Sequence, residues 1–199
     1  MKNILVVAPP AMEQKAIADY LSEKTSEIDL LIKETEKSIE FLKEYRKSVI
    51  SETVTKGLDS TAILKDSGIE QIGMIPDDWE CRALTNLCER IFDGPFGSNL
   101  KGKDYVEEGV RVVRLENLKF LYFDDSKRSF VTKEKYQTLL NHTVYPSDVI
   151  VSTFISDEVK ACRMPASIEY AVNKADCVGV RVGSRVSADF IRYFLSVSY

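Results

Sequence analysis

The sequence predicts an α+β protein in which one long, coiled-coil-forming helix precedes a mixed α/β domain. The first observation is a heptad pattern of apolar residues that runs without interruption from Pro10 to about Lys56. The second is the change after Gly57 to a linker of mixed polarity and then to short apolar or alternating runs separated by turn residues. The order of these runs favours a mixed or largely antiparallel sheet.

The heptad pattern predicts a helix roughly 65–70 Å long, because an α-helix rises about 1.5 Å per residue. Pro10 suits its first turn, and Lys56 and Gly57 supply a cation and a C-cap at its end. One apolar seam on a charged helix requires a partner helix along it. We therefore assign residues 1–58 to a short lead-in strand and a spacer or dimerisation helix. The predicted helix-pairing residues are Ile17, Leu21, Ile28, Leu31, Leu42, Tyr45 and Val49.

The remaining chain divides into a linker and a domain. Residues 59–80 contain two glycines, a proline and no sustained period, which predicts a linker leading into the next domain. Residues 81–199 form the predicted α/β domain. Within 110–115, alternation places Arg111 on the opposite face from Val110 and Val112. Strands are predicted at 110–115, 120–123, 129–132 and 177–183, a turn followed by a buried strand at 145–154, and helices at 133–140 and 187–199.

Composition excludes several classes of protein. The four cysteines and single histidine lack the close spacing of a structural zinc site, so no metal is expected. We interpret the cysteines as reduced thiols of a cytoplasmic protein. The N-terminal apolar run has only five residues before two prolines, which is too short for a signal peptide or a membrane span. The net charge of −4 names no partner, although a local patch can differ from the average.

Two blocks of the sequence together resemble the specificity subunit of type I restriction–modification systems. The first is PPAMEQKAIADYLSEK at 9–24, which continues into the long charged helix. The second is IGMIPDDWE at 72–80, followed by LTNL, DGPFGSNLK and VRVVRLENL. The blocks occur in the order expected of the family. The segments YPSDVIVS, VNKADCVGVRV and ADFIRYFL extend the resemblance over essentially the whole chain.

The resemblance implies a non-catalytic subunit that binds asymmetric, bipartite DNA sites. Members of this family hold two target recognition domains apart on two antiparallel helices, which also dock the methylation subunits. Residues 81–199 would then be one DNA target recognition domain. S-adenosylmethionine belongs to the methylation subunit of such systems, and ATP and Mg²⁺ belong to the restriction subunit. We therefore expect no cofactor in this chain, and we expect double-stranded DNA and these two subunits as partners.

The chain also departs from the family pattern. It has one spacer helix and one recognition domain, and it stops at Tyr199, short of the segment that normally closes that domain. We therefore expect half of a subunit or a truncated one. The second half could come from another gene, from an antiparallel homodimer of this chain, or from nothing. The residues TFISDEVK also replace the glycine-containing turn that many relatives have after the preceding strand.

DNA readout requires side chains that reach base edges on a frame held by phosphate contacts. The window 98–135 is richest in them, with nine Lys and Arg against seven acids, and Lys127 and Arg128 stand at a predicted hairpin tip. The glycines of the GPFGSNLK loop would let backbone N–H groups approach a phosphate. Each residue could equally be a solvated surface charge, so the set depends mainly on the resemblance. The predicted DNA-binding residues are Ser98, Asn99, Lys101, Lys103, Arg111, Arg114, Asn117, Lys127, Arg128, Lys133, and, in second rank, Lys160 and Arg163.

An enzyme is the alternative from another functional class. Asp148, Glu158 and Lys160 imitate the Asp…Glu-x-Lys arrangement of Mg²⁺-dependent nucleases, which need two carboxylates on the metal and a lysine near the attacked phosphate. Asp148 is equally explained as part of the turn before a strand. A methyltransferase is disfavoured, because no glycine-rich loop follows a strand and no Asn-Pro-Pro-aromatic motif occurs. We predict a non-enzymatic recognition subunit.

Overall fold

The computed structural model describes residues 5–154 and 158–197, and the chain divides into two compact units, Met1–Ser48 and Val49–Tyr199. Helix α1 spans Ala11–Lys56, which confirms the predicted long helix. Residues 5–10 form no strand, and the rest of the predicted lead-in strand, 1–4, lies outside the described residues.

Local chemistry explains where helix α1 begins and ends. The backbone N–H of Gln14 donates to the carbonyl of Pro10, and Glu13 places a negative charge in the first turn. At the other end, Gly57 adopts a φ of +79° and donates its N–H to the carbonyl of Thr53. A residue with a side chain adopts this left-handed conformation only with strain, so glycine ends the helix at low cost. All seven predicted helix-pairing residues are exposed, by 44% to 62%.

The described part of the second unit contains a hairpin, two sheets and three short helices. The hairpin joins β1 (Leu64–Asp66) to β2 (Met74–Pro76). The remaining strands are β3 (Cys88–Asp93), β4 (Tyr105–Val106), β5 (Val110–Val113), β6 (Ser129–Val131), β7 (Thr143–Val144), β8 (Val149–Ser152), β9 (Ala161–Arg163), β10 (Ala171–Asn173) and β11 (Cys177–Val182). The helices are α2 (Leu84–Leu87), α3 (Lys133–Gln137) and α4 (Ala188–Val197), with 3₁₀ turns at Gly102–Asp104, Leu115–Asn117 and Leu140–His142.

The strands are arranged mostly antiparallel. One sheet has the order β4-β6-β5-β10-β7, and the other has the order β3-β11-β8-β9. Among the strand pairs of the described residues, β5 and β10 are parallel, and the other pairs are antiparallel. The predicted α+β fold, with a long helix before a mixed sheet domain, is therefore confirmed.

Strand β5 shows how the core is built. Val113 packs in a cluster with Phe92 and Ile150, whereas Val110 and Val112 pack in a second cluster. Both faces of the strand are therefore covered, and all four of its residues are buried. The predicted alternation of faces is correct, but Arg111 lies inside the protein as a result. A third cluster, which includes Val180, packs helix α4 onto the four-stranded sheet.

Several local predictions differ from the structure. Residues 120–123 form no strand, because Leu121 takes a φ of +67° and only an isolated bridge joins Leu118 to Phe123. The predicted helix at 133–140 ends at Gln137 and is followed by a separate 3₁₀ turn, which leaves Leu140 exposed. The predicted linker contains the β1–β2 hairpin, whose three-residue strands are too short to show a period.

Candidate nucleic-acid interface

The segment 124–128 forms a turn between the Leu118–Phe123 bridge and strand β6, and a buried amide holds it in place. The side chain of Asn117 donates from Nδ2 to the carbonyls of Asp124 and Lys127, at 2.9 and 2.8 Å. Its Oδ1 accepts from the backbone N–H of Arg114 at 3.0 Å. Asn117 is only 1% exposed, so these bonds form away from water. We call residues 124–128 the basic turn.

Asp124 and Ser126 stabilise the basic turn from within. The backbone N–H of Ser126 donates to Oδ1 of Asp124 at 2.9 Å. The pKa of Asp124 lies below its ordinary value, because the side chain and the backbone N–H of Ser126 both hydrogen-bond to the ionised carboxylate. The backbone N–H of Asp124 also donates to the carbonyl of Asn117 at 2.7 Å. The turn is thus closed by local bonds as well as by the buried amide.

Arg111 reaches the basic turn from strand β5. Its Nη2 group donates to Oδ1 of Asp125 at 2.9 Å and to the carbonyl of Lys127 at 2.7 Å. Burial lowers the pKa of Arg111, and the charge of Asp125 opposes that effect. Arginine stays protonated under such conditions, so this is a charged pair with one end inside the protein. The carbonyl of Lys127 therefore accepts hydrogen bonds from two buried side chains, those of Arg111 and Asn117.

The two cations of the basic turn project to the surface. The side chains of Lys127 and Arg128 are 69% and 62% exposed. Nζ of Lys127 lies 3.7 Å from Glu116, and Nη2 of Arg128 lies 2.6 Å from Oδ2 of Asp125. Arg128 also lines a cleft of about 500 Å³ with Lys133 and Phe130. The structure thus brings several of the predicted cations together around one turn.

The GPFGSNLK loop begins at a glycine that the fold requires. A Cβ atom on Gly94 would lie 2.0 Å from the backbone carbon of Lys174 and 2.3 Å from the nitrogen of Ala175. Atoms that are not bonded to each other cannot come this close. The loop can therefore approach this backbone only where it has a glycine. Gly97 meets no atom within 4 Å. The two glycines therefore have different roles, although the sequence presents them alike.

The polar residues of this loop face solvent. Ser98, Asn99 and Lys101 are exposed, as is Lys103 just beyond the loop. The backbone N–H of Lys101 donates to Oδ2 of Asp104 at 2.7 Å, and this bond is the main reason that the pKa of Asp104 is lowered. Because Asp104 also lies 3.4 Å from Lys135, part of the positive charge near this loop is neutralised.

The remaining predicted DNA-binding residues fall in two places. Arg114 lies near the basic turn, with Nη1 3.0 Å from Oε1 of Glu116. Arg163 lies in strand β9 of the other sheet, and Lys160 directly precedes that strand. Arg163 donates to Asp189 at 2.6 Å and to Oγ of Ser147 at 2.8 Å, so it joins strand β9 to helix α4. The structure therefore does not bring these two residues into the basic turn.

The geometry does not support the nuclease alternative. The carboxylate of Asp148 is 4% exposed and accepts two hydrogen bonds from Arg181, at 2.9 and 2.7 Å, and one from the backbone N–H of Tyr145. Its lone pairs are thus occupied by fixed donors. Across residues 5–154 and 158–197, no group of three or more potential metal ligands occurs. Within the same residues, no helix is both long and apolar enough to cross a bilayer.

Sequence reasoning missed the residue that organises this surface. Oδ1 of Asp125 accepts a hydrogen bond from the buried Arg111, and its Oδ2 forms an ion pair with the exposed Arg128. In the sequence it is one acid among the seven of the 98–135 window. The adjacent Asp-Asp-Ser residues indicate a turn, but no local pattern shows that Arg111 lies opposite.

Comparison with curated proteins places the chain beside specificity subunits. It is 34% identical over 119 residues to the type I restriction enzyme MjaVIII specificity subunit of Methanocaldococcus jannaschii, covering 60% of this chain and 25% of that protein. It is 34% identical over 116 residues to the putative MjaX specificity subunit of the same organism, covering 58% and 25%. It is 24% identical over 156 residues to the EcoBI specificity subunit of Escherichia coli, covering 76% and 33%. The chain thus spans a quarter to a third of the relatives' length, and no family model matches it.

Comparison with solved structures finds two chains of low sequence identity. One comes from a structure that describes complex assembly and conformational transition of the type I R-M system. It shares 14% sequence identity, and the TM-score is 0.52 over 94% of this chain and 41% of that one. The HsdS subunit of Thermoanaerobacter tengcongensis shares 16% identity, with a TM-score of 0.44 over the same fractions. The first likeness supports the fold, and the curated relatives confirm the resemblance to type I specificity subunits.

Proposed function

We propose that this chain, a homologue of type I restriction specificity subunits, recognises one half of a bipartite site in double-stranded DNA. The observation that carries this proposal is the 34% identity to two proteins named as specificity subunits, each matched over more than half of this chain. The family reads DNA through a recognition domain that follows a long helix. The present chain has these two parts in the same order.

The basic turn is the surface that suits DNA best. Its cations are exposed, and its backbone is held by the buried Asn117 and Arg111, so little conformational freedom would be lost on binding. We assign base contacts to Arg128 and phosphate contacts to Lys127 and Lys133. Arg111 and Asn117 then support the interface from inside and do not touch DNA.

The GPFGSNLK loop is proposed as a second contact. Its exposed Ser98, Asn99 and Lys101, with Lys103 just beyond it, offer hydroxyl, amide and ammonium donors, and such side chains commonly bind phosphate oxygens. Lys160, Arg114 and Arg163 would contribute only a general positive field, because the side chains of Arg114 and Arg163 are 40% and 38% exposed, against 62% for Arg128.

The proposed function includes no reaction on this chain. The chain would act in the cytoplasm through a methylation subunit and a restriction subunit. S-adenosylmethionine, ATP and Mg²⁺ would be bound by those partners. Helix α1 would supply the docking surface and the spacing between half-sites. Its exposed seam also suits an antiparallel pair with a second copy, which would bring two recognition domains into one assembly.

A binding selection tests this function directly. The full chain is incubated with random duplex DNA at about 50 and 200 mM salt, with and without Mg²⁺, and bound DNA is sequenced. We expect a short motif to be enriched. Binding should be weaker at the higher salt, because each phosphate contact releases counterions and contributes about −0.9 to the slope of log affinity against log salt concentration. A motif repeated in opposite orientation at fixed spacing would also support the antiparallel pair.

Single variants localise the interface. Lys127→Ala should weaken binding to all sequences and reduce the salt slope by about one. Arg185→Ala, which removes an exposed cation outside the predicted set, serves as the control and should leave both quantities unchanged. Absence of any enriched motif, or DNA cleavage that requires Mg²⁺, would contradict the proposed function.

A further inference from the structure

We infer that Asp125 determines base specificity indirectly, by orienting the Arg128 guanidinium so that its unbound edge faces a guanine in the major groove. This inference rests on the proposed function, and it names a base and a positioning residue that the function alone does not supply. The observation behind it is the shared carboxylate of Asp125, which binds an internal arginine and a surface arginine at once.

The contact between Asp125 and Arg128 has two points. Nη2 of Arg128 lies 2.6 Å from Oδ2 of Asp125, and Nε of Arg128 donates to the backbone carbonyl of Asp125 at 3.3 Å. The ion-pair contact and the hydrogen bond involve Nη2 and Nε, which lie on the same edge of the planar guanidinium. An ion pair and a hydrogen bond on one edge restrict rotation of a side chain that is otherwise flexible.

The inner end of this arrangement is fixed. Oδ1 of Asp125 accepts from Nη2 of Arg111 at 2.9 Å, and the Arg111 side chain is only 7% exposed. The same Nη2 group donates to the carbonyl of Lys127 at 2.7 Å, and Nη1 lies 3.4 Å from the carbonyl of Ser129. Arg111 is therefore held by strand β6 as well as by the turn. Asp125 is anchored at one oxygen and holds Arg128 with the other.

An ordinary surface ion pair would not hold an arginine in one orientation. Exposed pairs contribute little, because two flexible side chains must be ordered in water. Here one partner is already ordered by a buried arginine, so the main entropic cost falls on Arg128 alone. The pair therefore orders Arg128 before DNA arrives.

The edge of the Arg128 guanidinium that does not contact Asp125 determines which base it can bind. Nη1 of Arg128 has no hydrogen-bond partner within residues 5–154 and 158–197. Together with the second proton of Nη2 it forms a pair of parallel donors. Guanine presents two acceptors, O6 and N7, in the major groove at the matching separation, whereas adenine presents an acceptor beside a donor. The oriented edge therefore favours guanine.

The test compares base preference in three variants of the full chain. Starting from the motif selected by the wild type, each position is varied singly and affinities are measured by fluorescence anisotropy. We expect one position where guanine is preferred over adenine by about 5- to 150-fold. Asp125→Asn and Arg128→Lys should both reduce that preference to under about threefold. The affinity of Asp125→Asn for unrelated DNA should stay the same or rise. Asp78→Asn makes the same substitution at an exposed site that does not line the cleft of Arg128 and should keep the wild-type preference.

Hydrogen exchange separates orientation from unfolding. The amide of Asp124, bonded to the carbonyl of Asn117, should stay protected in Asp125→Asn if the turn remains formed. Arg128→Lys leaves the Arg111–Asp125 pair intact, so loss of the guanine preference in that variant identifies Arg128 as the contacting side chain without disturbing the turn. A wild-type motif whose guanine preference survives in Asp125→Asn would overturn this inference but leave the proposed function standing. A wild type that selects no motif would contradict the proposed function, and this inference with it.

Discussion

Asp148 and Arg181 form a two-bond ion pair, with Nε 2.9 Å from Oδ1 and Nη2 2.7 Å from Oδ2. Asp148 precedes strand β8, and Arg181 lies in strand β11 of the same sheet. Nη2 of Arg181 also lies 3.3 Å from the carbonyl of Thr143, in strand β7 of the other sheet. The pair therefore stabilises the junction between the two sheets.

Replacing this carboxylate should destabilise the fold. Asp148→Ala leaves Arg181 without its main partner, and the Arg181 side chain is only 26% exposed. We expect the free energy of unfolding to fall by about 2–3 kcal/mol. Asp78→Ala, at an exposed position, should change it by less than about 0.5 kcal/mol. Urea denaturation followed by circular dichroism measures both, and equal midpoints for the two variants would count against this role.

A charge in the helix seam should abolish self-association. Leu31 is 62% exposed in the single chain, and pairing of two helices would bury it. Leu31→Asp would then place a carboxylate in an apolar interface, where an unpaired charge is strongly unfavourable. We expect a dimer for the wild type and a monomer for Leu31→Asp by light scattering coupled to size exclusion.

Ser26→Asp is the matched control for the seam. Ser26 is exposed and lies on the side of helix α1 opposite the heptad seam, so it receives the same charge without entering the interface. We expect the control to remain dimeric. A monomeric wild type at high protein concentration would remove the basis for an antiparallel pair.

The two glycines of the GPFGSNLK loop should respond differently to alanine. Gly94→Ala forces a methyl group into the backbone of Lys174 and Ala175, and overpacking of this kind costs about 1–3 kcal/mol or more. Gly97→Ala meets open space and should leave the thermal midpoint within about 2 °C of the wild type. Thermal denaturation compares them, and similar midpoints would show that the loop does not require the close approach.

Two buried cysteines should resist alkylation. Burial raises the pKa of Cys162 and of Cys177 to about 12, from an ordinary value of 9.0, whereas Cys81 is exposed. At pH 8 their thiolate fraction is about a thousandfold lower than that of a cysteine with the ordinary pKa. Iodoacetamide should therefore label Cys81 first, and Cys162 and Cys177 only after unfolding in urea. Peptide mass spectrometry measures this order, and rapid labelling of Cys162 in the native protein would contradict their burial.

The same thiols predict a loss of stability at alkaline pH. Their pKa is higher in the folded state than in the unfolded state, so folding favours the neutral thiol. This contribution is complete below about pH 9 and is lost as the pH rises towards 12. Denaturation midpoints measured between pH 8 and 10 should therefore fall at the upper end.

The sequence by itself determined helix α1, its exposed seam and the resemblance to specificity subunits. A heptad pattern is a local property, since residues three and four positions apart share a face of the same helix. The predicted strands at 129–132 and 177–183, and the strand predicted after a turn within 145–154, were also found, because their short apolar runs lie between turn residues. These features require no knowledge of distant contacts.

Only the tertiary structure decided which polar residues are exposed and which support the fold. Arg111 and Arg128 are both arginines in a basic window, yet one is 6% exposed and the other projects from a turn. The difference arises because strand β5 is covered on both faces, by residues that come from distant parts of the chain. Asp148 likewise meets its partner 33 positions away. Burial and pairing depend on such contacts, and a linear pattern of charges does not encode them.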